Sequence, residues 1–153
     1  MIDINQKAVV LREASATGFI KLKTETMRVI RRREVRKGDV IEVSRVAGII
    51  GAKLTSQNIP HCHLIPIESV APEVKLERSG IEVRCSVKAH YKTGVEMEAL
   101  SCVNAMLLNI WDMVKYLEKN EKGQYDTTEI SGVKVVEKRK GDNGPQARTR
   151  KKV

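Results

Sequence analysis

Residues 91–119 read YKTGVEMEALSCVNAMLLNIWDMVKYLEK, and the rest of the chain is organised around this stretch. Its apolar residues recur at the i, i+3, i+4 and i+7 spacing of one helix face. They are Leu100, Val103, Met106, Leu107, Ile110, Met113, Val114 and Leu117. The pattern predicts a helix over about 99–119, with most of these side chains in the core.

The same stretch carries acidic and basic residues among its apolar ones. Glu96 and Glu98 follow the chain break at Gly94, and they share a face if the backbone there is extended. Asp112 and Lys115 are three residues apart, so their side chains can meet on a helix. One interpretation is a surface ion pair worth about 0.2–1 kcal/mol. The other is an acid/base pair, in which a partly desolvated lysine beside a phosphate site donates a proton.

The composition predicts one folded domain. The chain has 153 residues, of which 41% are hydrophobic and 31% charged. No apolar run approaches the roughly 20 residues of a membrane span, and the first residues do not resemble a signal peptide. The three cysteines form no CxxC pair, which favours reduced thiols and a cytoplasmic location.

The net charge of +9 is concentrated at one end. Residues 138–153 alone carry +6, and glycines and a proline interrupt them. We therefore expect a domain over 1–140 and a basic, disordered tail over 141–153. Aromatic residues make up only 3% of the chain, which argues against a nucleic-acid partner bound by base stacking. Attraction of a smaller anion remains open.

The remaining segments predict an α+β fold. Strands are expected at 18–23, 65–77, 81–92 and 132–138, helices at 24–33 and from Asp39 to about Leu54, and a loose arm at 1–16. The second helix has an apolar stripe formed by Val40, Val43, Ala47, Ile50 and Leu54, and small residues that allow close packing. This order favours a ferredoxin-like antiparallel sheet with helices on one face.

Two further segments carry polar residues of uncertain role. His61, Cys62 and His63 suggest a metal site, a packed structural segment or a substrate contact, and the spacing is poor for tetrahedral zinc. The basic link over 31–38 is either a solvated run or a phosphate contact. In the second case Lys37 is favoured, because Gly38 lets the backbone approach a ligand closely.

Short motifs follow one another in a fixed order over about residues 1–140. They are Met1–Ile4 with Lys7, Arg12–Ala14, Lys37–Val40, Ala47–Ile49, Ala52–Lys53, Ile59–His63, Lys92–Leu100, Asp112–Lys115 and Glu137–Lys138. In this order they resemble the cyclic pyranopterin monophosphate synthases, the second enzymes of molybdenum cofactor biosynthesis. Each motif is short, and their joint order is specific.

The resemblance implies a lyase of the ferredoxin-like fold. Its substrate would be (8S)-3′,8-cyclo-7,8-dihydroguanosine 5′-triphosphate, and its products cyclic pyranopterin monophosphate and pyrophosphate. It implies a homohexamer built as a trimer of dimers, with sites at subunit interfaces. No resident cofactor is expected, and Mg²⁺ is expected only with the triphosphate.

The resemblance also assigns the site residues. Asp112 and Lys115 become the catalytic acid/base pair. Substrate-binding positions are His61, Cys62, His63, Met97, Glu98, Lys37, Glu96, Lys138 and Arg12, and there is no metal ligand. Arg12 is expected in an arm that completes a neighbour's site. The lysines suit a triphosphate, and the carboxylates suit guanine-derived N–H donors.

The chain departs from the family pattern at three places. His61 replaces an apolar residue, so its side chain need not contact substrate. Leu64 replaces a proline after His63, which loosens that loop. The end of the chain, from Lys138 onward, replaces a Ser/Gly-rich finish and leaves the function of the tail open.

Overall fold

The computed structural model describes residues 1–141. At its centre lies the helix α4, Glu96–Glu118, which begins three residues earlier than predicted. The apolar stripe of α4 is buried as expected, and Val103, Met106, Leu107 and Ile110 have no exposed surface. Because α4 begins at Glu96, Glu96 and Glu98 lie in its first turn and point in different directions. The basic tail predicted over 141–153 lies, beyond Gly141, outside the described residues.

The sheet is antiparallel and has the strand order β2-β3-β1-β4. Its strands are β1, Val10–Lys21; β2, Ser69–Leu76; β3, Gly80–Tyr91; and β4, Glu129–Lys140. The alternation in β3 is confirmed, because Ile81, Val83, Cys85, Val87 and Ala89 are all fully buried. With α4 packed on one face, this is the α+β, ferredoxin-like arrangement that the sequence predicts.

The arm predicted over residues 1–16 is wrong for its second part. β1 begins at Val10 and pairs with β3 over its whole length, from Val10 opposite Tyr91 to Lys21 opposite Gly80. Only residues 1–9 precede the sheet, and Ile4 among them is buried. Arg12 therefore lies in a central strand, not in an arm.

The other helices are α1, Thr24–Arg31; α2, Val40–Lys53; and the short α3, Thr55–Asn58, which was not predicted. Asp39 caps α2 as expected, since its Oδ1 accepts hydrogen bonds from the backbone N–H groups of Ile41 and Glu42. None of the helices in residues 1–141 is long and apolar enough to cross a membrane.

The helix α2 packs through its small residues and not through its apolar stripe. A Cβ atom at Gly48 would lie 2.7 Å from Met106, and one at Gly51 would lie 2.5 Å from Ala105, both on α4. Of the predicted stripe, Val40 is buried, but Val43 and Ile50 are 40% and 51% exposed, as is the neighbouring Val46 at 56%. Beyond Val40 the apolar side chains therefore face away from the core of their own chain, where a second element can cover them.

Cys85 on β3 and Cys102 on α4 form a disulfide, which corrects the expectation of reduced thiols for these two residues. Both are fully buried, so the predicted core position of Cys85 is confirmed while its chemical state is not. The bond fastens α4 to the sheet about one helical turn after Glu98. Cys62 is the one free cysteine.

Candidate active site

The C-terminal half of α4 carries a cluster of two lysines and one aspartate. Lys115 Nζ lies 2.7 Å from Asp112 Oδ1, and Lys37 Nζ lies 2.6 Å from Asp112 Oδ2. Lys37 also donates to the backbone carbonyl of Asp112, at 2.9 Å. The predicted contact between Asp112 and Lys115 is thus present, with Lys37 as a third member. The cluster has a net charge of +1 and exposed lysine ammonium groups, which suits a phosphate ligand.

Protonation in this cluster is strongly biased. Hydrogen bonds from Lys115 and then Lys37 lower the pKa of Asp112 to about 2. The same contact with Asp112 raises the pKa of Lys115 above its ordinary value. The isolated chain therefore holds an ionised aspartate and a protonated lysine. The Lys115 side chain is 45% exposed, and in the isolated chain the contact with Asp112 outweighs the effect of desolvation on its pKa.

Tyr116 holds Arg36, the residue before Lys37, and the sequence analysis did not identify this contact. The backbone N–H of Arg36 donates to the phenol oxygen of Tyr116 at 3.1 Å, and the Arg36 guanidinium lies 5.2 Å from the ring centroid. Tyr116 follows Asp112 by four residues, so the two side chains lie on one helix face. That spacing was the only available signal for its role.

A cavity of about 850 Å³ lies beside the N-terminal end of α4. Six of the predicted site residues line it: His61, Cys62, His63, Glu96, Met97 and Glu98. The N-terminal residues form another wall, where the Ile2 carbonyl lies 2.9 Å from His63 Nε2 and the Asn5 carbonyl accepts from Lys92 at 3.0 Å. The structure thus brings together the two predicted substrate-binding segments, which lie more than 30 positions apart in the sequence.

Glu96 lies at the edge of this cavity, near two further predicted site residues, Lys138 and Arg12. Its carboxylate forms an ion pair with Lys138 on β4. Arg12 on β1 donates to the backbone carbonyls of Tyr91 and Lys92, at 3.3 and 3.2 Å. Arg12 is therefore held by carbonyls of its own chain, and its part in a neighbour's site stays a prediction.

The two groups of polar residues are far apart within one chain. Glu98 and Asp112 are separated by 14 positions of α4, and at 1.5 Å per residue this is about 21 Å along the helix axis. The cavity and the Lys37–Asp112–Lys115 cluster therefore lie at opposite ends of α4. A single small ligand does not reach both in the same chain.

A comparison with known protein families identifies the family of this chain. A model of the MoaC family matches residues 1–141, which is all of the chain that the structure describes. The chain belongs to the MoaC family. The match includes both ends of α4, the loop over 61–63 and Lys138 on β4, so both groups of polar residues fall inside it.

Curated relatives agree with this assignment. The MoaC-family chain is 57% identical to a probable cyclic pyranopterin monophosphate synthase of Saccharolobus solfataricus, over 90% of this chain and 93% of the relative. It is 54% identical to a protein of the same name in Thermoplasma acidophilum, over 92% and 98%. A third, in Archaeoglobus fulgidus, is 50% identical over 92% and 90%.

Glu98 is the most deeply buried acid of the MoaC-family cavity. Only 3% of it is exposed, and burial, followed by the nearby charge of Glu96, raises its pKa above the ordinary 4.5. Among the described residues no side chain donates a hydrogen bond to its carboxylate, and the hydrogen bond from its own backbone N–H lowers the pKa by less than burial raises it. An ionised Glu98 therefore costs stability in the resting protein.

We predict that Glu98→Gln raises the melting temperature at pH 7. The folded pKa lies above the unfolded value of 4.5, so the cost of the buried charge is full at neutral pH. That cost declines as pH falls through the folded pKa and disappears below 4.5. The gain from glutamine should decline with it. Thermal unfolding of both proteins between pH 4 and pH 8 measures this, with the exposed Glu121→Gln as the control; a gain that is constant with pH contradicts the prediction.

Residues 1–141 contain no group of three or more His, Cys, Asp or Glu residues placed to hold a metal ion. Asp112 is engaged by Lys37 and Lys115, and Glu96 by Lys138. The cluster around Asp112 is thus dominated by cations, which fits an anionic ligand better than a metal.

Proposed function

We propose that this MoaC-family protein is a lyase that converts the cyclic dihydroguanosine triphosphate to cyclic pyranopterin monophosphate with release of pyrophosphate, in molybdenum cofactor biosynthesis. The observation that carries the proposal is the Lys37–Asp112–Lys115 cluster, which places two cations within hydrogen-bond distance of one carboxylate. The names of the curated relatives support the same reaction.

The chemistry of the substrate matches the two groups of residues. Lys37 and Lys115 neutralise phosphate oxygens and stabilise departing pyrophosphate. Glu98 accepts N–H groups of the guanine-derived ring from its buried position in the cavity. His63 is half-buried, and its Nε2 lies 2.9 Å from the Ile2 carbonyl, a partner that it can exchange for the ligand. Asp112 and Lys115 then hold the two protonation states that the rearrangement needs.

A turnover assay tests this function. The purified chain is incubated with the cyclic dihydroguanosine triphosphate, and pterin product and pyrophosphate are measured together. We expect the two products in equal amounts, and no product from GTP. Pyrophosphate release without pterin formation would indicate a phosphohydrolase and contradict the proposal.

We further propose that the active site is completed between subunits of a homohexamer, a trimer of dimers. The separation of about 21 Å along α4 supports this, because a ligand that contacts both groups needs one group from each of two chains. The outward apolar side chains support it too: Val46 and Ile50 on α2 and the 63% exposed Leu108 on α4 are typical of a surface that another subunit covers. Such a contact would also desolvate Lys115.

Mixed assemblies test the shared site. Lys115→Ala and His63→Ala chains, each inactive alone, are co-expressed with different tags and purified through both tags. We expect activity to return, because some sites then combine an intact cavity from one chain with an intact cluster from the other. Mixed assemblies as inactive as their parents, or a fully active monomer, contradict an interface site.

We propose that the protein acts in the cytoplasm.

We also propose that the enzyme has no resident cofactor and that Mg²⁺ accompanies the triphosphate as part of the substrate. The cationic cluster around Asp112 supports this, since its lysines take the place of a bound metal at the phosphates. Turnover at a fixed Mg²⁺ concentration should therefore depend on the Mg²⁺–nucleotide complex, and dialysis of the protein against a chelator should leave no lasting loss.

A further inference from the structure

Gly94 lies where the Glu96 side chain folds back over the loop that precedes α4. A Cβ atom at Gly94 would lie 2.0 Å from Glu96 Oε2 and 2.8 Å from Glu96 Cδ. Both distances are shorter than any van der Waals contact, so a side chain at position 94 and the present carboxylate position exclude each other.

The backbone does not explain the glycine. Gly38, Gly123 and Gly132 have positive φ angles, where glycine is favoured, and Gly94 does not. No backbone atom is among the three nearest to the Cβ position at Gly94, all of which belong to the Glu96 carboxyl group. The space that this carboxyl group occupies is therefore the reason for a glycine here.

The carboxylate that fills this space is held by Lys138, and the loop beside it is held by Arg12. Lys138 pairs with it, and Arg12 binds the carbonyls of Tyr91 and Lys92, which lead to Gly94. Burial acts to raise the pKa of Glu96, but the hydrogen bond from Lys138 and the charges of Lys138 and Arg12 outweigh it, so the pKa is lowered. The loop and the carboxylate thus form one fixed unit at the cavity edge.

We propose that Gly94 is a positioning residue for the reaction: the absence of a side chain keeps the Glu96 carboxylate paired with Lys138, facing the substrate cavity. The inference rests on the proposed function, because it assumes that Glu96 contacts the substrate. It assigns to the glycine a part in substrate binding that acts only through Glu96.

The substitution Gly94→Ala tests this. The obstructing atoms are the end of a flexible side chain, so the carboxylate can move away while the fold persists. We expect the melting temperature to stay close to that of the native chain, and kcat/KM to fall at least about tenfold, the typical effect of losing a charge-assisted hydrogen bond. The loss should equal that of Glu96→Ala within a small factor.

The double variant Gly94→Ala/Glu96→Ala separates the explanations. If Gly94 acts through Glu96, the alanine at 94 has no further effect once the carboxylate is gone. An equal additional loss in the double variant overturns the inference. If Gly94→Ala fails to fold, the double variant decides: its folding supports the obstruction by Glu96, and its failure to fold refutes it. A fully active Glu96→Ala contradicts instead the proposed substrate contact of Glu96.

Discussion

Lys115→Ala is expected to lower kcat by about 10²–10⁴-fold, the usual contribution of a general acid or base, and to leave the fold intact. Lys115 is 45% exposed and contacts Asp112 on its own helix, so its removal opens no core cavity. The expected loss has two causes: a proton donor disappears, and so does a cation that faces the triphosphate. Turnover of the cyclic nucleotide and thermal unfolding, measured on the same preparation, check both parts.

The matched control is Lys122→Ala, which removes an exposed lysine from the turn after α4. It should have nearly native kcat and melting temperature. Asp112→Asn should lose activity as Lys115→Ala does, because a neutral amide lacks the negative charge that pairs with both lysines. Near-native turnover of Lys115→Ala would exclude the acid/base role, and loss of activity together with the fold would make it a structural residue.

Gly51→Val is expected to destabilise the protein by roughly 3 kcal/mol or more, equivalent to about 6–12 °C in melting temperature for a domain of this size. A Cβ at Gly51 would lie 2.5 Å from Ala105 Cβ and 2.8 Å from the carbonyl oxygen of Ser101. The second contact is with the backbone of α4, which cannot turn aside, so the two helices must separate. Thermal and denaturant unfolding measure the loss.

Two further variants show whether the helix contact is the cause. Gly51→Ala should destabilise less, since its single methyl group is offset in part by the higher helix propensity of alanine, about 1 kcal/mol. Adding Ala105→Gly to Gly51→Ala removes one clash and should recover part of the loss. Lys53→Ala, at the exposed C-terminal end of α2, should cost little. Equal losses at 51 and 53 contradict a specific close approach of α2 and α4.

The helices and strands with clear periodicity could be predicted from the sequence. Which of their faces is buried could not always be predicted. The stripe of α4 and the alternation of β3 gave the right buried sides, because large apolar residues occupy them. In α2 the predicted close packing of the small residues is confirmed at Gly48 and Gly51, but the apolar stripe is misleading, since Val43 and Ile50 remain outside. A close helix crossing selects for small residues, and hydrophobicity alone does not detect that selection.

The start of β1 was missed for a related reason. Residues 10–17 mix apolar, charged and small residues, so neither period dominates. Pairing with β3 on one side and β4 on the other stabilises the extended conformation, which the local sequence alone does not favour. The disulfide was missed because partners cannot be deduced from cysteine spacing, and an odd count in a short chain gave no framework.

The candidate site was predicted as a list of residues and not as an arrangement. Motif order identified Asp112, Lys115 and the residues around Glu98, and the structure places them in two groups at opposite ends of α4. Sequence order carries no distance between segments that meet only after folding. For the same reason the contacts of Tyr116 and of Gly94 could be identified only from the structure.

The pairing of Cys85 with Cys102 has a practical consequence for the only remaining thiol. Cys62 lies in the cavity wall, and every chain therefore carries one built-in attachment point for a thiol-reactive fluorophore. Burial and the charge of Glu98 raise the pKa of this thiol, so labelling should be slow at neutral pH and faster in alkali. The labelling rate of Cys62 therefore reports whether a ligand occupies the cavity. It measures ligand binding even in variants that have no turnover.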